Sequence, residues 1–149
     1  MRYYSQIKFL PFYAVSVLPM SVLYLISAVL FYVVYYVKGY RKQIVRENLR
    51  KAFPHKGQME LAQIEKKFYR HFCDIAIESV KTLTINENDI KKRLVVRNPN
   101  LIRHYLDRQE SILLYTAHQD NWEWLVYLSL YFKYPSYTFY RPLQKEGTL

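Results

Sequence analysis

Ser111-Ile112-Leu113-Leu114-Tyr115-Thr116-Ala117-His118-Gln119-Asp120-Asn121-Trp122-Glu123-Trp124 is the stretch on which the fold class turns. Its first five residues make a short apolar run between polar neighbours, the pattern of a strand covered on both faces. A polar cluster follows at once, as in the loop where such a strand opens toward a ligand crevice. Leu94-Val95-Val96 reads as an earlier strand and Tyr137 to Tyr140 as a later one. Strands alternating with helical patterns predict an α/β layer structure. His118 and Glu123 then stand at a strand's carboxyl end.

That pair suits one kind of chemistry. A neutral imidazole can take the proton of a hydroxyl as its oxygen attacks an acyl carbon, worth roughly 100- to 10,000-fold in rate. A carboxylate on the other ring nitrogen fixes the tautomer and stabilises the imidazolium, and the substrate supplies the nucleophile. The competing reading makes His118 a helix cap and Glu123 a solvated helical carboxylate. The H-x4-E spacing by itself does not decide between them.

The 149 residues carry a formal charge of +10 and include 16 tyrosines, unusual for a soluble domain of ordinary size. The basic excess lies early: residues 1 to 60 hold nine Lys or Arg against two acids. Phe9 to Val37 is a run of 29 residues without a charge, and roughly 20 suffice to cross a bilayer. Pro19 fits the first turn of a helix running to about Val37, with residues 9 to 18 bent or lying in the interface. Tyr32, Tyr35, Tyr36 and Tyr40 then mark headgroup level. The run exceeds the roughly 7 to 15 apolar residues of a cleaved signal peptide and lacks a small-residue cleavage site after it, which favours a retained anchor. Lys38, Arg41, Lys42, Arg46, Arg50 and Lys51 follow it, against Arg2 and Lys8 before it, so the following part is expected on the cytoplasmic side. The single Cys73 allows no intrachain disulfide. Nucleic acid is a poor rival partner, because the basic residues adjoin an apolar anchor and no nucleic-acid motif accompanies them.

Beyond the anchor, Arg41 to Phe53 reads as a basic amphipathic helix stopping at Pro54, held near an anionic leaflet by about 1 kcal/mol per nearby cation. Met59 to Leu83 has apolar residues at helical spacing, with His71, Asp74 and Glu78 on or beside that face. These three suit packing or ion pairing better than a separate site, Glu78 being the most interesting. Thr84-Ile85-Asn86-Glu87 reads as a cap and turn, and helices are expected over Pro99 to Arg108 and Trp122 to about Phe132.

Four blocks then carry a resemblance: Asn48-Leu49-Arg50-Lys51-Ala52-Phe53-Pro54, Phe68-Tyr69-Arg70-His71-Phe72 with Glu78 downstream, the run from His118 to Trp124, and Tyr140-Arg141-Pro142-Leu143. In this order they make the chain resemble the lipid A biosynthesis acyltransferases, the late lauroyl and myristoyl branch of the glycerolipid acyltransferase superfamily that shares H-x4-D/E. The resemblance implies transfer of a fatty acyl chain from acyl carrier protein to a hydroxyl of a lipid A precursor at the inner membrane. The chain would be single-pass or monotopic there, with its catalytic part on the cytoplasmic face. It also implies His118 as general base, Glu123 as its orienting carboxylate, and Arg141 and Asn121 as substrate-binding residues, Asn121 also shaping the loop. No cofactor is expected, and no metal, since a thioester is already an activated donor.

Two departures stand out. The family pattern G-H-x-G-N-W-E is met here by Ala117 and Asp120 in place of its glycines. Aspartate tolerates a positive φ better than most residues, but its charge near His118 favours the imidazolium. Family members are also considerably longer, so the expected organisation is an anchor over 1–40 and the amino-terminal part of a truncated α/β acyltransferase domain over 41–149. The alternatives are an inactive membrane-anchored fragment and a phospholipid acyltransferase.

Overall fold

Pro19 divides the long apolar run. It offers no N–H and holds φ near the helical value, so one helix stops before it and another starts after it. The computed structural model describes residues 10–117, 119–132 and 134–139. Helix α1 (Leu10–Ser16) precedes the proline, and α2 (Met20–Tyr32) follows with Pro19 at its N-cap. A single π-helical turn, Val33–Lys38, prolongs α2, and Gly39 ends it in the left-handed region at φ 58°, where a glycine avoids the Cβ penalty. Met20–Lys38 is thus 19 residues of helix, long and apolar enough to cross a membrane.

Four more α-helices and one 3₁₀ helix follow: α3 (Lys42–Ala52), α4 (Gln58–Lys81), α5 (Glu87–Arg93), α6 (Pro99–Leu106) and the 3₁₀ helix (Trp122–Leu130). At the start of α4, Glu60 accepts from the Gly57 N–H at 3.1 Å and from Lys56 Nζ at 3.2 Å. These contacts, the backbone one first, hold its carboxyl below the usual carboxylate range, so this cap's stabilisation is lost as pH falls through that lowered value. Helix α5 was not expected from the sequence; Asn86 caps it by accepting from the Asp89 N–H at 2.9 Å.

The expected α/β architecture is not what forms: the described residues are helical or irregular, and none is in a strand. Leu94–Val96, Ser111–Tyr115 and Tyr137–Phe139 are all irregular, and Tyr140 lies outside the described residues. Apolar composition supplies only half of what a strand needs, since its N–H and C=O groups require a neighbouring ladder. The central run meets none among the described residues, and its side chains stand in the open, Leu113 67% and Tyr115 87% exposed.

What the helices bury instead is a seam between α2 and α4. Leu23, Ser27, Phe31 and Tyr35 are buried on one side, and Glu65, Tyr69, Cys73, Ile77 and Lys81 on the other, each a stripe of every fourth residue. Such i±4 rows are the ridges by which helices interlock. The π turn holds more residues per turn than an α-helix, which keeps Tyr35 in line beneath Phe31. The rungs run antiparallel. Tyr35 packs on Tyr69 with ring centroids 5.3 Å apart, Ser27 Oγ donates to Asp74 at 2.5 Å, and Tyr24 Oη donates to Glu78 at 2.7 Å. Tyr35 therefore belongs to the core with Phe31, Tyr69 and Cys73, and only Tyr32, Tyr36 and Tyr40 are exposed as headgroup-level rings would be.

Two charges are buried along this seam, and both are paired. Glu65, 3% exposed, receives the Arg46 guanidinium of α3 in a fork, Nε at 2.8 Å and Nη2 at 3.3 Å. Lys81, 8% exposed, donates to the carbonyls of Ser16 at 2.9 Å and Leu18 at 3.0 Å. The break at Pro19 takes these carbonyls out of the helical ladder, and the ammonium, with the Thr84 hydroxyl on Ser16, satisfies them. Of the basic flank, Arg46 is committed to Glu65 and Lys42 sits 3.6 Å over the Tyr35 ring, so fewer cations face outward than the sequence suggests.

Lys81→Met keeps the length but removes the donor from two carbonyls, and is expected to destabilise the fold by about 1–3 kcal/mol in chemical denaturation. Burial first, and Asp74 second, push the Cys73 thiol above its ordinary pKa. The folded protein should therefore resist a maleimide that labels Cys73 readily after denaturation.

Candidate active site

The motif loop is tied to α4 at consecutive residues. Asp120 takes a positive φ of 55°, one of three non-glycine residues to do so among those described. This is the position at which the expected pattern has glycine, and aspartate is among the few side chains that accept it. The turn brings Asp120 Oδ1 to 3.0 Å from His71 Nε2. Asn121 Nδ2 then donates to Glu78 Oε2 at 2.7 Å. A carboxylate only accepts, which fixes the end of the Asn121 amide that faces it.

Glu78 uses its other oxygen on the apolar helix, as the acceptor from Tyr24 Oη. Arg93, at the end of α5, donates to the same phenol oxygen at 3.2 Å and lies 6.0 Å from the Tyr24 ring centre. Glu78, Arg93, Leu94, Asp120, Asn121 and Trp124 line a cleft of about 370 Å³. Trp124 is 7% exposed, and among the described residues neither its Nε1–H nor Asn121 Oδ1 has a hydrogen-bond partner. A buried donor and a buried acceptor left in this way are costly, and both belong to residues that line the cleft.

The polar stripe on α4 thus divides. His71 and Glu78 hold the motif loop, whereas Asp74 bonds Ser27 and takes no part in the cleft. Glu123 lies exposed in the first turn of the 3₁₀ helix, where a carboxylate complements the helix dipole. His118 and Arg141 lie outside the described residues, and so does any contact between Asp120 and His118; the carboxylate of Asp120 is engaged by His71. Asn121 is half-buried, with one end of its amide committed to Glu78 and the other without a partner among the described residues. Among the described residues no group of three or more His, Cys, Asp or Glu could hold a metal ion.

Tyr24, Arg93 and Trp124 were not anticipated. A signal for Tyr24 was present: Tyr24 and Ser27 are polar side chains three apart in an uncharged run, opposite a stripe of His71, Asp74 and Glu78 at helical spacing. Arg93 carried none, because its place depends on α5, whose short pattern was read as leading into a strand.

Backbone strain at Asp120 makes an ordered pair of outcomes. Asp120→Gly relieves the left-handed conformation and loses only an exposed ion pair, whereas Asp120→Ala loses the pair and keeps the strain. The alanine variant should be the less stable by about 1 kcal/mol in denaturant titrations followed by tryptophan emission.

The family model described as bacterial lipid A biosynthesis acyltransferase matches residues 3–149. No curated protein and no solved structure matches the chain.

Proposed function

This chain belongs to the bacterial lipid A biosynthesis acyltransferase family, and we propose that it transfers a fatty acyl group from acyl carrier protein to a hydroxyl of a lipid A precursor, as the late lauroyl and myristoyl enzymes do. The observation that carries this reading is the family match over residues 3–149. The docking of Asp120 and Asn121, within the H-x4-E motif, against the helix beside the apolar segment supports it, since a membrane-borne acceptor would be met there. Residues 1–40 serve as the anchor and 41–149 as the amino-terminal part of the acyltransferase domain.

In this mechanism His118 removes the proton of the acceptor hydroxyl as its oxygen attacks the thioester carbonyl. Glu123 holds the imidazole and stabilises the imidazolium that results. The new C–O bond forms, the C–S bond breaks, and the imidazolium returns its proton to the carrier's departing thiolate. Arg141 binds an anionic group of donor or acceptor, and Asn121 helps to bind the substrate while shaping the loop.

The apolar segment sits in the inner membrane with the catalytic part on the cytoplasmic face. A monotopic seating agrees best with the α2–α4 seam. Val22, Leu25, Val29 and Val33 leave one flank of that helix run apolar and exposed, while Tyr24 and Ser27 on the other are bonded to carboxylates of α4. Carboxylates deep in hydrocarbon would be expensive, whereas a helix pair lying in the interface keeps them near water.

A membrane preparation of the protein should move a labelled acyl chain from carrier protein to a lipid A precursor. His118→Ala is expected to lower that rate about 100- to 10,000-fold, and transfer unaffected by it would defeat the reading. Transfer to a phospholipid acceptor alone would reassign the substrate.

A further inference from the structure

We propose that Glu78 is a positioning residue for acyl transfer, joining the motif loop to the apolar helix through Asn121; the inference rests on the acyltransferase reading of that loop. Each of its carboxylate oxygens is used by a different element. Oε1 accepts from Tyr24 of α2 and Oε2 from Asn121 at the start of the 3₁₀ helix that carries Glu123. Tyr24 is itself held from the far side by Arg93.

A chain of bonds therefore runs from the α5 terminus through the apolar helix and α4 to the residue two before Glu123. Because the carboxylate accepts and cannot donate, it also holds the Asn121 amide in one sense. Oδ1 is then turned away from Glu78 and is buried, as is the indole N–H of Trp124, the other loop residue that lines the cleft. His71 makes a second attachment one residue earlier, but that pair is half-exposed on one side and mostly exposed on the other, and so contributes less. Glu78 touches no reacting atom in this scheme. It sets the distance between the loop and a membrane-borne acceptor, and a displacement of about 1 Å at such a loop can cost on the order of 100-fold in rate.

The two tryptophans of the chain, Trp122 and Trp124, both flank Glu123, so indole emission and acrylamide quenching report on this loop without background from elsewhere. Glu78→Ala should raise quenching, shift emission to the red and lower kcat about 100-fold. Glu78→Gln, which still offers Asn121 a carbonyl oxygen, should keep the buried Trp124 protected and restore most of the rate.

The sharper test exchanges donor and acceptor. Asn121→Asp alone sets carboxylate against carboxylate and should expose Trp124, while Glu78→Gln with Asn121→Asp rebuilds the bond in reverse and should protect it again. If Glu78→Ala fails to fold, as lost Cys73 protection would reveal, the exchanged pair decides. The proposal is overturned if the double variant is no better protected than Asn121→Asp, or if Glu78→Ala keeps wild-type kcat and quenching. Protection that follows the exchange in a protein that transfers no acyl group would sustain the Glu78 link and defeat the acyltransferase reading instead.

Discussion

Polar groups set against an apolar helix are cut off from part of their water and take protein partners in its place. The seam between α2 and α4 meets that condition rung by rung. Ser27 meets Asp74, Tyr24 meets Glu78, and Lys81 covers the carbonyls that Pro19 frees. Apolar contact at Phe31, Tyr35, Tyr69 and Cys73 supplies the burial, while the polar rungs determine register. Sliding α4 by one turn would leave the Phe31 and Tyr69 faces near other apolar groups, but it would strand Asp74, Glu78 and Lys81 together.

The remainder of the described chain hangs on this pair. Tyrosine hydroxyls make many of the attachments: Tyr69 to the Tyr40 carbonyl, Tyr127 to Thr82, Tyr131 to Leu94, and Tyr134 to Asp107. A ring that packs and a hydroxyl that donates suits helices that meet at their ends rather than along their lengths. The abundance of tyrosine is thus partly structural, beyond the headgroup role that composition suggests. The motif loop uses shorter side chains for the same purpose, and its positive-φ turn at Asp120 aims two successive residues back at α4.

Some of the local chemistry around the motif was legible one residue at a time. H-x4-E, the polar stripe on the second amphipathic helix and the tolerance of aspartate for a left-handed turn all follow from local chemistry. The helix limits were legible as well: the described α3, α4, α6 and 3₁₀ helix lie within about two residues of the periodic patterns, the usual fraying of helix ends. The strand at Ser111–Tyr115 was read from composition, and composition says nothing about a partner. An apolar run becomes a strand only through hydrogen bonds to a distant segment, and none forms among the described residues.

By itself, then, the sequence determined an apolar helix broken at Pro19, a basic flank, an amphipathic helix with His71, Asp74 and Glu78 along its face, and a His and a Glu five residues apart. These depend on spacing and residue chemistry within a few turns of chain. Only the tertiary structure decided that Glu78 bridges Tyr24 and Asn121, that Asp74 does not join it, that Tyr35 is core, and that the apolar run before the motif stays outside any sheet. The contacts among these join residues tens of positions apart, and such a pairing is settled by which partner is within reach when two helices lock, a fact that no local pattern encodes.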